Sequence, residues 1–196
     1  MRQVNVAAER LDRWLAGFAE RHGETQTITG ADLVELVGAD DAHAWVEVPF
    51  PPLTGDLVQH VTKRRRVGVL LVRRGGYAAG VFEGAELVAS KVGSSYVQGT
   101  TKAGGWSQQR FARRRANQAN AAFAEAADAA ARVLAAAELD AIVAGGDRAA
   151  VRAVLADHRL AHLHPSGPWL EVKDPRQKVL AATPGQFRAV RIRLDP

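Results

Sequence analysis

The chain contains no cysteine among its 196 residues. That excludes disulfides and thiolate metal sites. It also lacks any run near the roughly 18 consecutive apolar residues of a membrane span. Its first stretch, MRQVNVAAERLDRWLAGF, carries acids and no continuous apolar segment, so it does not read as a signal peptide. A cytoplasmic location is the simplest expectation. One further absence is local. Between Gly84 and Glu125 the only carboxylate or histidine is Glu86. Paired side chains for general acid–base chemistry are therefore missing from that stretch.

What is present points two ways. Hydrophobic residues make up 47%, enough for a real core. The net charge is +5 and the sequence pI is about 10.1, which favours a polyanionic partner, nucleic acid ahead of an acidic protein.

Residues 5–21 place Val6, Leu11, Trp14, Leu15 and Phe18 at helical spacing, with Gly23 as a stop. TITGADLVELVGADD reads as a short strand and a short helix capped by Thr29. AHAWVEVPF alternates and reads as a strand, and PFPPLTG as a turn or linker. The expected organisation is an N-terminal annex, residues 1–62, packed on a main domain, residues 63–196. From Arg66, three strands are joined by tight turns at Gly75-Gly76 and Glu83-Gly84. VGVLLV is apolar throughout, as a central strand covered on both faces would be. A helix is expected from Ser107 to about Glu138, with a stripe of Phe111, Ala119, Ala122, Phe123, Ala126, Ala130, Val133 and Leu134. LDAIVAGG then reads as a strand, DRAAVRAVLADH as a helix and QFRAVRIRL as a last strand. The order implies an α/β domain with a mixed sheet and flanking helices.

Between the third strand and the long helix lies VGSSYVQGTTKAGGWSQQRFARRR. Gly93, Gly99, Gly104 and Gly105 offer backbone freedom there. Its candidate chemical groups are Gln98, Gln108 and Gln109, which do not titrate but can orient water or a reacting group. Arg110, Arg113, Arg114 and Arg115 crowd the helix start, where they oppose the helix dipole unless an anion sits there. Free N–H groups, dipole and guanidinium forks together suit RNA phosphate. Lys91, Lys102, Lys63, Arg64 and Arg65 extend that patch if the fold gathers them. Trp106 reads as a staple under the helix start or as a base-stacking platform. His158, His162 and His164 lack clustered carboxylates, so no metal is expected. Asp140 and Asp147 read as structural caps, Asp147 in a GGD strand-to-helix turn.

GGWSQQRFARRR resembles the signature of the class I release factors of eukaryotes and archaea. There a Gly-Gly-Gln loop precedes a Ser-Ala-Leu-Arg-Phe-Ala-Arg helix. Gly104, Gly105, Ser107, Arg110, Phe111, Ala112, Arg113 and Arg115 match without a gap, while Trp106 stands where that family has glutamine. A branch of the superfamily, the release-factor-like proteins of ribosome-associated quality control, places its essential glutamine earlier, in a Gly-x-x-Gln context. GSSYVQG is similar with two residues more, which makes Gln98 the matching position. The chain most resembles actinobacterial members of that branch (VLRF type), from about Val67 to Leu194. The resemblance implies an RNase H-like, release-factor central-domain topology. It also implies a cytoplasmic peptidyl-tRNA hydrolase that frees nascent chains, with Gln98 as the catalytic group and Gln108 and Gln109 as rivals. Lys91, Lys102, Trp106, Arg110, Arg113, Arg114 and Arg115 would contact RNA. Its partners would be the large ribosomal subunit and peptidyl-tRNA, with no membrane and no cofactor, and the protein would act as a monomer. Cleavage of the tRNA near its acceptor end and plain RNA binding remain as alternatives.

Overall fold

A computed structural model describes residues 2–73, 75–94 and 107–195, including all their side chains except those of 107–112 and 114–116. Two compact units emerge: Met1–Arg64 with Pro184–Pro196, and Arg65–Thr183.

The first unit is built on a five-stranded antiparallel sheet. Its strands are β1 (Arg2–Ala7), β2 (Gln26–Thr29), β3 (Leu33–Val37) and β4 (His43–Glu47), plus the last strand of the chain, β9 (Ala189–Leu194). Their order is β1-β9-β4-β3-β2. Two helices belong to this unit, α1 (Leu11–His22) and α2 (Leu57–Thr62). Leu11 and Phe18 of α1 are buried with Val6, Val34, Leu36, Val46, Val190 and Ile192. Gly23 ends α1 with φ 76°, as expected of a helix stop. His60 of α2 is a buried polar residue whose Nδ1 accepts from the Thr54 amide at 3.1 Å while Nε2 donates to the Pro49 carbonyl at 3.0 Å.

Two sequence expectations are corrected here. Residues 2–7 are a strand, and helix begins only at Leu11, after a 3₁₀ turn at Ala8–Arg10. Val4 and Val6 alternate with polar neighbours and pair with Ile192 and Val190, so period two prevails in those residues. LVELV is likewise strand β3 and not a capped helix. Val34 and Leu36 point into the core, and the segment pairs on both sides. Five residues fit both periods, and the neighbouring strands decide between them.

The second unit has a four-stranded mixed sheet. Its strands are β5 (Arg66–Arg73), β6 (Gly76–Glu83), β7 (Glu86–Gly93) and β8 (Ala141–Gly146). The order is β7-β6-β5-β8: an antiparallel meander with β8 parallel to β5. This is the mixed α/β class that the pattern implies. The apolar run of β5 is buried from Val67 to Val72, as a central strand requires. The crossover from β7 to β8 uses α3 (Ser107–Ala130), which ends in a π-helical turn at Ala131–Ala135. Ala126, Ala127, Ala129, Ala130 and Leu134 pack on one face of the sheet with Leu70, Tyr77, Ala79 and Val81. A short helix, α5 (Gln177–Ala181), brings Leu180 to the other face. There a Cβ on Gly80 would lie 3.0 Å from Leu180 Cδ2. After β8, Asp147 caps α4 (Arg148–Leu155) through its Oδ1, which accepts from the amides of Ala149 at 2.8 Å and Ala150 at 3.1 Å. Asp140 is structural as well: its Oδ2 accepts from the Arg66 amide at 2.6 Å.

The final strand is the main topological surprise. QFRAVRIRL does form a strand, but β9 lies between β1 and β4 in the first unit rather than in the sheet of residues 66–146. Residues 184–196 thus leave the main domain expected over 63–196. Alternation gives β9 one apolar face, Val190 and Ile192, and any sheet with one covered face can take such a strand.

Candidate nucleic-acid interface

Strand polarity assembles the site. β5, β7 and β8 run in one direction and β6 in the other, so Arg73, Gly76, Gly93 and Gly146 share one end of the sheet. Residues 95–106 begin at this end, directly after Ser94. Gly93, expected as a source of loop freedom, is the last residue of β7 and pairs with Tyr77. Its lack of a side chain has a steric cause: a Cβ there would lie 2.3 Å from Cζ and from the hydroxyl oxygen of Tyr77. Tyr77 is buried and donates a hydrogen bond to Glu125 of α3 at 3.1 Å. Burial, with the bond to Glu125, pushes the phenol pKa up, so the hydroxyl stays a donor.

This bond fixes where α3 crosses the sheet. Glu125 sits by Tyr77 at the loop end, and Leu134 sits near Gly68 toward the other end. Phe123 still packs against the core of this unit, and the α3 residues before it, 107–122, make up roughly 24 Å of helix at 1.5 Å per residue. Among the described side chains of α3, none before Ala126 is buried, and Arg113 is exposed. Gln108, Gln109, Arg110, Arg114 and Arg115 lie on this part of the helix, with side chains outside the described set. Gln98, Gly99, Lys102, Gly104, Gly105 and Trp106 lie outside the described residues altogether. Lys91 is exposed on β7, two residues from its end.

Arg65 does not join this group. It adjoins the start of β5, and its carbonyl accepts from the Gly84 amide, at the opposite end of the sheet. Eight strand residues separate it from Gly75, roughly 26 Å at 3.3 Å each. Lys63 and Arg64 precede it in the other unit.

Other cations take part that the sequence reading did not single out. Gly145 and Gly146 end β8 and lead into the turn before α4. They also clear space for a segment that runs beside β8: the Leu170 amide donates to the Ala144 carbonyl at 2.9 Å, and a Cβ on Gly145 would lie 2.4 Å from the Leu170 oxygen. Glycine inside a strand is the usual sign of such close backbone approach. The segment brings Lys173 and Arg176 to the loop end, beside Arg73. The residues of Arg65–Thr183 include 17 Lys and Arg against 10 Asp and Glu, a net +7, while the first unit has 9 against 11, a net −2. All of the excess positive charge thus belongs to the unit that carries α3.

A family model described as Actinobacteria/chloroflexi VLRF1 release factor matches residues 65–193. The chain belongs to this family. No curated protein matches it. The match to the release factor family begins with the second unit and continues through β9, so it crosses the boundary between the units. Among the described residues no helix is long and apolar enough to cross a membrane. No group of three or more His, Cys, Asp or Glu that could hold a metal occurs among them either.

Proposed function

We propose that the protein is a cytoplasmic, ribosome-associated peptidyl-tRNA hydrolase that acts as a monomer and releases nascent chains from stalled ribosomes or large subunits. The observation that carries this reading is the match to the release factor family over residues 65–193, a span that includes the Gly/Gln loop and the arginine helix. That Ser94, at the loop end of the sheet, leads in sequence to α3, on which Arg113 is exposed, supports it. On this reading α3 grips RNA phosphate through Arg110, Arg113, Arg114 and Arg115, with Lys91, Lys102 and Trp106 alongside. The glycines of the loop give it reach. The Gln98 amide orients a water against the ester carbonyl. Water oxygen bonds to the carbonyl carbon, the bond to the tRNA 3′ oxygen breaks, and the 2′-hydroxyl relays a proton to that oxygen. A relay through the substrate accounts for a loop that carries no histidine or carboxylate of its own.

Single-turnover release from stalled ribosomal complexes tests the reading. Gln98→Ala should abolish most release while ribosome binding persists. The RNA product should keep an intact 3′ end. A tRNA shortened by a few nucleotides would instead establish acceptor-end cleavage. Ribosome binding with no product in the wild type would reduce the protein to an RNA-binding module.

A further inference from the structure

A cavity of about 580 Å³ opens at the loop end of the sheet, lined by Arg73, Gly75, Val92, Gly93, Ser94, Lys173, Asp174, Pro175 and Arg176. We propose that it binds a backbone phosphate of the same RNA that α3 grips, held by Arg73 and Lys173 with Arg176 at the rim. The inference rests on the proposed function for the identity of the partner, and on four observations for the site.

First, the charges are unbalanced. Asp174 is the one acid among the described lining residues, and the Arg176 guanidinium already pairs with it at 2.5 Å. Lys173 is exposed and has no ion-pair partner among the described residues. Three cations against one acid leave a surplus that a phosphate would neutralise.

Second, Arg73 is held in place. One of its Nη atoms donates to the Val172 carbonyl at 2.9 Å, and a Cβ on Gly146 would lie 3.0 Å from its Cγ. A guanidinium carries five N–H donors, so most remain for a ligand. A fixed fork loses less freedom on binding phosphate than a mobile lysine does.

Third, the walls are small. Gly75 lets a ligand approach the backbone: among the described residues a Cβ there would meet nothing within 4 Å. Ser94 adds a hydroxyl donor. The volume falls within the roughly 300–1,000 Å³ of small-ligand sites, which suits a phosphate with its ribose better than a bare ion.

Fourth, the location fits. Ligands of α/β sheets bind outside the carboxyl ends of parallel strands, where connections diverge. β5 is that point here: β6 leaves it by a tight hairpin, and β8 joins it by the α3 crossover. Ser94, the residue that precedes 95–106 in the chain, lines the cavity.

The test uses the whole protein and a labelled RNA minihelix with a single-stranded 3′ tail, followed by fluorescence anisotropy across a salt series. Lys173→Ala combined with Arg176→Ala should weaken binding about tenfold or more at low salt. It should also flatten the slope of log K against log salt by up to about 0.7, the single-strand value for one phosphate contact. Both side chains are exposed, so the melting temperature should hold. Unchanged affinity and slope in this variant would overturn the site. The proposed function is tested separately, by replacing Arg110, Arg113, Arg114 and Arg115 on the same probe. Loss there with none in the cavity variant would reject only the cavity. Titration with inorganic phosphate at constant ionic strength distinguishes a site for the free anion. If phosphate saturates the amide resonances of Gly75 and Lys173 while RNA leaves them unmoved, the RNA assignment is wrong.

Discussion

The Tyr77 ring occupies the space that a side chain at Gly93 would need, and its hydroxyl holds Glu125 at 3.1 Å. One tyrosine therefore ties the strand that leads into the loop to the helix that follows it. Gly93→Ala should be destabilising by about 1–3 kcal/mol, the usual cost of overpacking a filled site. Tyr77→Phe keeps the packing and should lose about 1 kcal/mol for the bond. Denaturant titration gives both values. Hydrogen exchange should show faster exchange in α3 near Glu125 for Tyr77→Phe. Equal exchange in the two proteins would mean that the bond does not hold the helix.

Among the three glutamines, Gln98→Ala is expected to slow peptide release roughly 100- to 1,000-fold, the effect of losing one positioned donor, about 2.7–4 kcal/mol. Gln108→Ala and Gln109→Ala should cost far less, because both belong to α3, whose free N–H groups suit phosphate. Full activity in Gln98→Ala with loss in either of the others would move the chemistry to the helix start.

Replacing Arg110, Arg113, Arg114 and Arg115 by alanine should weaken ribosome association, and the salt dependence of the remaining binding should be shallower. Each phosphate contact removed takes about 0.7–0.9 from the slope. Sedimentation with ribosomes at several salt concentrations measures this. A salt slope equal to that of the wild type would rule out phosphate contact by these arginines.

In the first unit, His43 donates to Glu35 at 2.9 Å. This bond, with the nearby Asp41 carboxylate, raises the imidazole pKa. The sign follows from linkage: a group whose pKa is higher folded than unfolded stabilises the fold fully below its unfolded value, about 6.5, and ceases to do so as pH rises through the folded value. His43→Gln should therefore lower the melting temperature at pH 5.5–6, and the gap from the wild type should close above pH 8. A gap that stays constant over this range would show that the protonated pair adds nothing.

How far the sequence reveals the fold depends on where each decision is made. The β5–β7 meander is legible because its turns need glycine and its central strand is apolar on both faces. The Asp147 cap is legible because a cap is a local device. β1 and β3 are not, because six or five residues fit two periods and only the partner strand settles the matter. The placement of β9 is set by Val6 and Val46, far away in sequence, and no pattern within QFRAVRIRL expresses it. The same holds for the site. Arg110, Arg113, Arg114 and Arg115 stand together in the chain and can be read at sight. Arg73, Lys173 and Arg176 converge through a contact that spans 99 residues, from Arg73 to Val172. Gly145 and Gly146 were its only local sign.

The position of β9 imposes an order on synthesis. Arg2 pairs with Leu194, and β9 also pairs with β4. The first sheet therefore stays open between β1 and β4 until residues 189–194 have left the ribosome. The Arg65–Thr183 unit draws every strand from one continuous stretch and can close earlier. The sheet begun by β1–β4 is completed after the second unit, with a loop of more than a hundred residues to close. Until then, the edges of β1 and β4 stand unpaired, and a second nascent copy of β9 can occupy the gap.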